Sequence, residues 1–249
     1  MLVMTRRDLF RAGSVAAAGA ALAGGAVAGA SGAGAAGLAP SAAASAAAVS
    51  SGLRVGSRGP KVVALQNRLN ALGYYAGRAD GVYAGQTRQA VLAVQKVAGL
   101  SRVGSVGTGT ASALNRGVRP KARSTSGHVI EIDKARQVLL VVDGGRVTRI
   151  YNCSSGNGHY YYDRGKRVRA VTPSGTFRFY WQVANGWQHG RLGDMYRPMY
   201  FNGGVAVHGS RFDVGAWPSS HGCVRVYNGT MDELRRGRAI YLGGTVRVY

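Results

Sequence analysis

The chain is short of cysteine, of acidic side chains and of any long run of large aliphatic residues, and each shortage narrows what it can be. Two cysteines, Cys153 and Cys223, in 249 residues are not a disulfide framework; a bridge between them is the lesser alternative to two free thiols. Ten Asp and Glu against 32 Lys and Arg leave a net charge of +22, which calls for an anionic partner. Nucleic acid is set aside, because the basic residues are spread along the chain and no zinc-finger, RNA-recognition or basic-helix pattern organises them. Residues 12–30 are apolar but rich in Ala and Gly and poor in Leu and Ile, so a membrane span there is only the alternative reading. There is no His-x-x-x-His or comparable spacing for a metal, and no Gly-x-Ser-x-Gly elbow to make a nucleophile of Ser219 or Ser220.

What is present begins with Thr5-Arg6-Arg7-Asp8-Leu9-Phe10-Arg11, a twin-arginine start. The weakly apolar run behind it ends in small-residue cleavage candidates at Ala26-Val27-Ala28 and Ala28-Gly29-Ala30. Residues 1–30 therefore read as a twin-arginine export signal. Its removal takes Arg6, Arg7, Arg11 and Asp8 and leaves a net charge of +20. Outside the cytoplasm the abundant polyanions are wall polymers and anionic lipid surfaces, so salt-sensitive retention at the wall is expected.

Residues 31–51 are nearly all Ala, Ser and Gly and read as a tether. From there the periodicity turns helical. Pro60, Val62, Leu65, Leu69 and Leu72 predict a first helix closed by Gly73. Thr87 is expected to cap a second, with Val91, Val94 and Ala98 on one face and Gly99 at its end, and a short third lies near residues 110–114. Residues 53–115 thus form a small three-helix domain. A polar, basic linker covers 116–126.

Residues 127–249 switch to strands, expected at 128–133, 137–143, 146–153, 176–183, 204–208, 239–242 and 245–249, with one helix from Asn228 to Arg236. Tyr160-Tyr161-Tyr162 with Arg164, Lys166, Arg167 and Arg169 reads as an exposed basic hairpin. Trp181, Trp187, Tyr196, Tyr200 and Phe201 are candidates either for walls over a substrate or for plain packing.

The chemistry concentrates in Ser219-Ser220-His221-Gly222-Cys223-Val224-Arg225 and, fifteen residues before the cysteine, His208. A free thiol has a pKa of about 8.5 and needs a base or a positive field to react at neutral pH. His208 ends the apolar run Val205-Ala206-Val207, and a buried strand is a rigid place from which to aim an imidazole at a sulfur. Gly222 leaves the backbone before the sulfur open to a carbonyl and to oxyanion-binding N–H groups. Arg225 adds charge that favours the thiolate.

His208-Gly209, the run from Ser220 to Arg225, and Thr172-Pro173-Ser174-Gly175-Thr176-Phe177 together resemble the L,D-transpeptidase (YkuD-like) catalytic domain of bacterial cell-wall enzymes. Leu53-Arg54-Val55-Gly56, Leu65-Gln66, Leu72-Gly73-Tyr74-Tyr75, Asp80-Gly81-Val82-Tyr83 and Gln95 resemble the small peptidoglycan-binding domain found beside many wall enzymes. The first resemblance implies a mostly-β, sandwich-like domain with one short helix. It also implies a cysteine acyl transfer from a tetrapeptide stem to an amine, releasing D-alanine and forming a 3→3 cross-link, without metal or cofactor. Cys223 is then the nucleophile and His208 the base, oriented by the Gly209 carbonyl. His221 and Gly222 shape the oxyanion site, and Ser220 and Arg225 support the loop. The second resemblance implies peptidoglycan stems and glycan as partners, with Tyr74, Tyr75, Asp80 and Tyr83 as groove candidates against the alternative that the tyrosines pack between helices. A monomer at the wall is expected. The alternatives are a zinc-dependent wall hydrolase using His208, His221 and Cys223, and a non-catalytic peptidoglycan-binding protein.

Overall fold

The structure, a computed structural model, describes residues 48–249. The expected export signal and residues 31–47 of the tether lie outside the described residues. Where the tether meets them it is anchored: Val49 is buried and its N–H donates to Asn115 Oδ1 at 2.9 Å.

Among the described residues three helices come first, α1 (Pro60–Ala71), α2 (Gly85–Val97) and α3 (Thr108–Asn115). α1 starts on proline as expected and buries Val62, Leu65 and Leu69. α2 starts two residues before Thr87, which is not a cap: it is buried, and its Oγ1 accepts from Gln66 Nε2 at 3.0 Å.

Twelve strands and one further helix follow, arranged as two sheets and a hairpin. Sheet one runs β3 (Arg146–Asn152), β2 (Val138–Asp143), β1 (His128–Asp133), β12 (Thr245–Val248), β6 (Gly175–Arg178). Sheet two runs β11 (Val224–Tyr227), β10 (Val205–Ser210), β9 (Met195–Asn202), β7 (Trp181–Gln182), with β8 (Trp187–Gln188) also on β9. The hairpin pairs β4 (Tyr160–Asp163) with β5 (Lys166–Arg169), and α4 (Asn228–Arg236) follows β11. The strand expected over 176–183 is really two, because the chain leaves sheet one after Arg178 and joins sheet two at Trp181. The strand expected at 239–242 is absent: the N–H groups of Ala239 and Ile240 turn back onto the Leu234 carbonyl and close α4.

β2 explains how the parts fit. Its first five residues, Val138, Leu139, Leu140, Val141 and Val142, are all buried, so both of its faces are covered. Leu139 and Val141 join Ile130, Ile132, Phe201, Val207, Val224 and Val246 in the core between the sheets. Val138, Leu140 and Val142 face the other way, into a second core with Leu65, Leu69, Tyr74, Val91 and Leu114 of the helical segment. Residues 48–249 consequently form one compact unit. The connection between helices and sheets is held as well: buried Glu131 accepts the N–H groups of Arg123 and Ser124 and the hydroxyl of Tyr249.

Candidate active site

β10 and β11 run parallel and adjacent, with His208 opposite Arg225 and Val207 opposite Val224. Side chains alternate along a strand, so Ala206, His208 and Arg225 lie on one face, and Cys223, the residue before β11, continues that face beside Ala206. The Ala206 N–H reaches Cys223 Sγ at 3.4 Å. The thiol donates to the Gly204 carbonyl at 3.6 Å, and among the described residues no hydrogen bond joins it to His208. A turn about the cysteine side chain is therefore part of any reaction between the two.

His208 is 5 % exposed, and its Nδ1 meets the Gly209 carbonyl at 2.9 Å. A carbonyl only accepts, so Nδ1 carries the proton and Nε2 holds the free lone pair. Burial drives its pKa down to about 4, Gly209 opposes the shift, and the nearby Arg225 charge reinforces it. Burial also pushes the Cys223 thiol up, against the lowering influence of the Ala206 N–H and Arg225. The thiolate expected from the charge of Arg225 is thus not the resting form, because desolvation outweighs that charge. Free, the site holds a neutral thiol and a neutral imidazole.

The loop before the sulfur is clamped. Gly222 has φ +145°, which L side chains rarely adopt, and a Cβ there would meet the Val171 carbonyl at 3.1 Å. Ser220 Oγ donates to the Cys223 carbonyl at 2.5 Å and accepts the Gly222 N–H at 3.0 Å. Thr172 Oγ1 donates to the Gly222 carbonyl at 2.6 Å and accepts the Gly156 N–H at 3.0 Å. Arg225 donates from Nη2 to Ser219 Oγ, while its Nε is buried without a partner among the described residues. His221 is exposed and stands edge-on to Tyr161 of the β4–β5 hairpin, with ring centres 4.6 Å apart. Thr172 stood in the sequence only within a motif, and Tyr200, whose pKa is raised chiefly by burial, was one of several loop aromatics.

The four groove candidates fare differently. Tyr74 and Tyr83 are buried in the helical core, their hydroxyls donating to the carbonyls of Val118 and Gly104 at 2.9 and 2.8 Å, so neither offers a face to a ligand. Tyr75 packs on Tyr151 at 5.9 Å between ring centres, joining the helical segment to the sheets. Asp80 is exposed, but its Oδ1 accepts from Gln66 Nε2 and the Val82 N–H at 2.9 Å each, shaping its own turn. Beside it a cleft of about 540 Å³ is lined by Arg58, Pro60, Val63, Asp80 and Val82. Both cysteines are free, with Cys153 fully buried and its thiol pushed up to about 12 by that burial. Among the described residues no cluster of His, Cys, Asp or Glu is arranged to hold a metal, and no helix is long and apolar enough to cross a membrane.

Fold and site define a two-sheet β protein with a cysteine–histidine centre at the end of two parallel strands. Residues 127–236 match the L,D-transpeptidase catalytic domain, YkuD, and residues 58–114 match a peptidoglycan binding domain. A solved L,D-transpeptidase from Xylanimonas cellulosilytica DSM 15894 is 50% identical, with a TM-score of 0.76, over 80% of this chain and 97% of that one. The chain belongs to the L,D-transpeptidase family, its YkuD catalytic domain preceded by a peptidoglycan-binding domain. An L,D-transpeptidase from Stackebrandtia nassauensis matches 79% of this chain and 94% of its own at 21% identity and a TM-score of 0.46. Among curated proteins no relative matches.

Proposed function

We propose that the protein is an exported cell-wall L,D-transpeptidase that uses Cys223 to transfer an acyl group from a peptidoglycan tetrapeptide stem to an amine. The observation that carries this reading is the pairing of β10 with β11, which sets His208 and the residue before Val224 on one face, with the His208 ring pinned through Nδ1. Membership of the family and the peptidoglycan-binding match support peptidoglycan as substrate and the wall as the place of action. The twin-arginine start and the strong positive charge support export and retention there.

In this reading the Cys223 sulfur attacks the carbonyl joining the third stem residue to the terminal D-alanine while the thiol proton passes to His208 Nε2. A concerted transfer suits a site whose thiol is raised and whose imidazole is lowered, because a free ion pair is disfavoured before substrate arrives. The oxyanion is met by the Cys223 N–H at the end of the clamped turn, whose conformation Thr172 and Ser220 hold, the Gly222 N–H being taken up by Ser220 Oγ. D-Alanine leaves with the proton from His208, and a thioester remains on Cys223. An amine of a neighbouring stem, losing its proton to His208, then attacks the thioester to give a 3→3 cross-link and restore the thiol. Arg225 steadies the loop through Ser219, and its unpaired Nε is a donor kept within the site.

The test is to incubate disaccharide-tetrapeptide with wild type and Cys223→Ala and resolve the products by mass spectrometry. Wild type should release D-alanine with a cross-linked dimer, and the variant neither. Equal release by both would overturn the reading, and chelator-sensitive cleavage without thiol sensitivity would point to a zinc hydrolase instead.

A further inference from the structure

The residue that the proposed chemistry leaves unused and the fold treats most unusually is Lys96, one position before the end of α2. It is 2 % exposed, and burial pulls its pKa down to about 8. The three N–H bonds of its Nζ are shared among four oxygens from three different places. These are the Gln137 carbonyl at 3.2 Å in the β1–β2 turn, Asn152 Oδ1 and the Cys153 carbonyl (3.0 Å) at the end of β3, and the Gly215 carbonyl at 3.2 Å. Gly215 belongs to the segment 211–223 that carries the chain from the His208 strand to Cys223.

Lys96 is the centre of a set of such ties. Asn152 Nδ2 donates to Gln89 Oε1 at 2.6 Å and to the Val214 carbonyl at 2.7 Å. Gln89 Nε2 donates to Asp213 Oδ1 at 2.6 Å, and Arg88 pairs with the other oxygen of that carboxylate. Arg102 donates to the Ala216 carbonyl at 3.1 Å and lies over the Trp217 ring at 4.5 Å. Beyond that point the segment after β3 takes over: Ser154 Oγ donates to the Trp217 carbonyl at 3.0 Å, and Ser155 O accepts the N–H groups of Ser219 and Ser220. Residues 213–217 are thus held mainly from the helical segment, and the turn bearing Cys223 hangs from their far end. A buried ammonium is an expensive way to gain stability, since an apolar side chain of similar volume serves that end as well or better. What an ammonium with fixed acceptors adds is a defined position for the segments that supply them.

We propose that Lys96, with Gln89 and Arg102, is a positioning residue for the nucleophile: the segment matched to peptidoglycan binding holds the loop that sets Cys223, and is part of the catalytic apparatus as well as a wall contact. The proposal rests on Cys223 being the nucleophile, and its test separates the two ideas.

The full chain is compared as wild type, Lys96→Met, Arg102→Ala and Asp213→Ala, with two measurements. The first is kcat and KM for D-alanine release from soluble disaccharide-tetrapeptide, where attachment to a wall plays no part. The second is the rate of iodoacetamide alkylation at Cys223 and at Cys153, read by peptide mass spectrometry. Lys96→Met should lower kcat by about tenfold or more with KM little changed, since displacement by about 1 Å can cost a factor of up to about a hundred. The same variant should speed alkylation of Cys223 several-fold, because a loosened loop frees a half-buried thiol now held against the Ala206 N–H and the Gly204 carbonyl, while fully buried Cys153 stays unmodified. Arg102→Ala and Asp213→Ala, which alter the rim of the network, should show the same split to a smaller degree. A folded Lys96→Met protein with wild-type kcat would overturn the proposal. If Lys96→Met exposes Cys153 as well, whose carbonyl Lys96 holds directly, the damage reaches beyond the loop, and Asp213→Ala decides: wild-type kcat there overturns the proposal, and a lowered kcat with Cys153 protected sustains it. Absence of wild-type D-alanine release would instead sink the functional reading.

Discussion

Acid should destabilise this protein through one imidazole more than through any feature visible on its surface. His208 is almost fully buried and its pKa falls from an ordinary 6.5 to about 4, chiefly because burial penalises the charged ring. A histidine depressed in this way is neutral in the fold, so between those two values the unfolded chain binds the extra proton and stability falls as the pH is lowered. From about a unit above pH 6.5 the group contributes almost no pH dependence. By linkage its cost is about 2 kcal/mol at pH 5 and levels off near 3 kcal/mol once the folded pKa is passed, at about 1.4 kcal/mol per pH unit at most. Other groups titrate over the same range, so the quantity to measure is a difference. Urea unfolding of wild type and His208→Gln, followed by tryptophan fluorescence at pH 7.5 and pH 5, isolates it. Wild type should lose about 2 kcal/mol more than the variant across that interval. Parallel losses in the two proteins, or a larger loss in the variant, would refute the claim that the imidazole is held neutral.

Three other outcomes follow from contacts at and around the site. Gly209→Ala should destabilise by about 1–3 kcal/mol in the same urea assay, because strongly overpacked sites rarely relax fully; its Cβ would lie 2.6 Å from Asn228 Oδ1 and 2.9 Å from Tyr196 Cδ1. Thr172→Val keeps the shape but strips the Gly222 carbonyl and the Gly156 N–H of their partner, a loss of about 1–3 kcal/mol; kcat for D-alanine release should fall more than KM changes, and an unaltered kcat would contradict the clamp. Tyr74→Phe should cost about 1 kcal/mol through the lost bond to Val118, while binding to purified sacculi stays at the wild-type level; weakened binding would restore Tyr74 to the groove.

Much of this architecture could be read from residue order. The helix over Pro60–Ala71 and the one over Asn228–Arg236 follow from apolar spacing and flanking glycines, and the cysteine–histidine centre follows from chemistry that few side chains support. The docking of helices onto sheet one also had a signal: the unbroken apolar run Val138–Val142 is what two-sided burial looks like, whereas a strand with one wet face alternates. β9 was hidden by Pro198, which argues against a central strand. The structure accommodates it at a bulge, where Arg197 takes φ +48° and the β9–β10 register shifts opposite His208. Tyr74 and Tyr83 illustrate the opposite limit. A tyrosine near a binding-domain motif and a tyrosine filling a core with its hydroxyl on a carbonyl look the same until the neighbours are in place. Lys96 is the extreme case, since a lysine late in a helix reads as a solvated charge, and only four oxygens from distant segments reveal otherwise.

The claim on which the enzymatic account turns is that the stem peptide passes through a covalent bond to one sulfur. Wild-type protein mixed with disaccharide-tetrapeptide and quenched in acid within the first turnover, then digested and mapped by mass spectrometry, tests it directly. The account predicts the disaccharide-tripeptide, short of D-alanine, attached to the peptide containing Cys223, cleaved by hydroxylamine as a thioester and absent from Cys223→Ala. Turnover with no adduct at any time, or an adduct on a different residue, would contradict it.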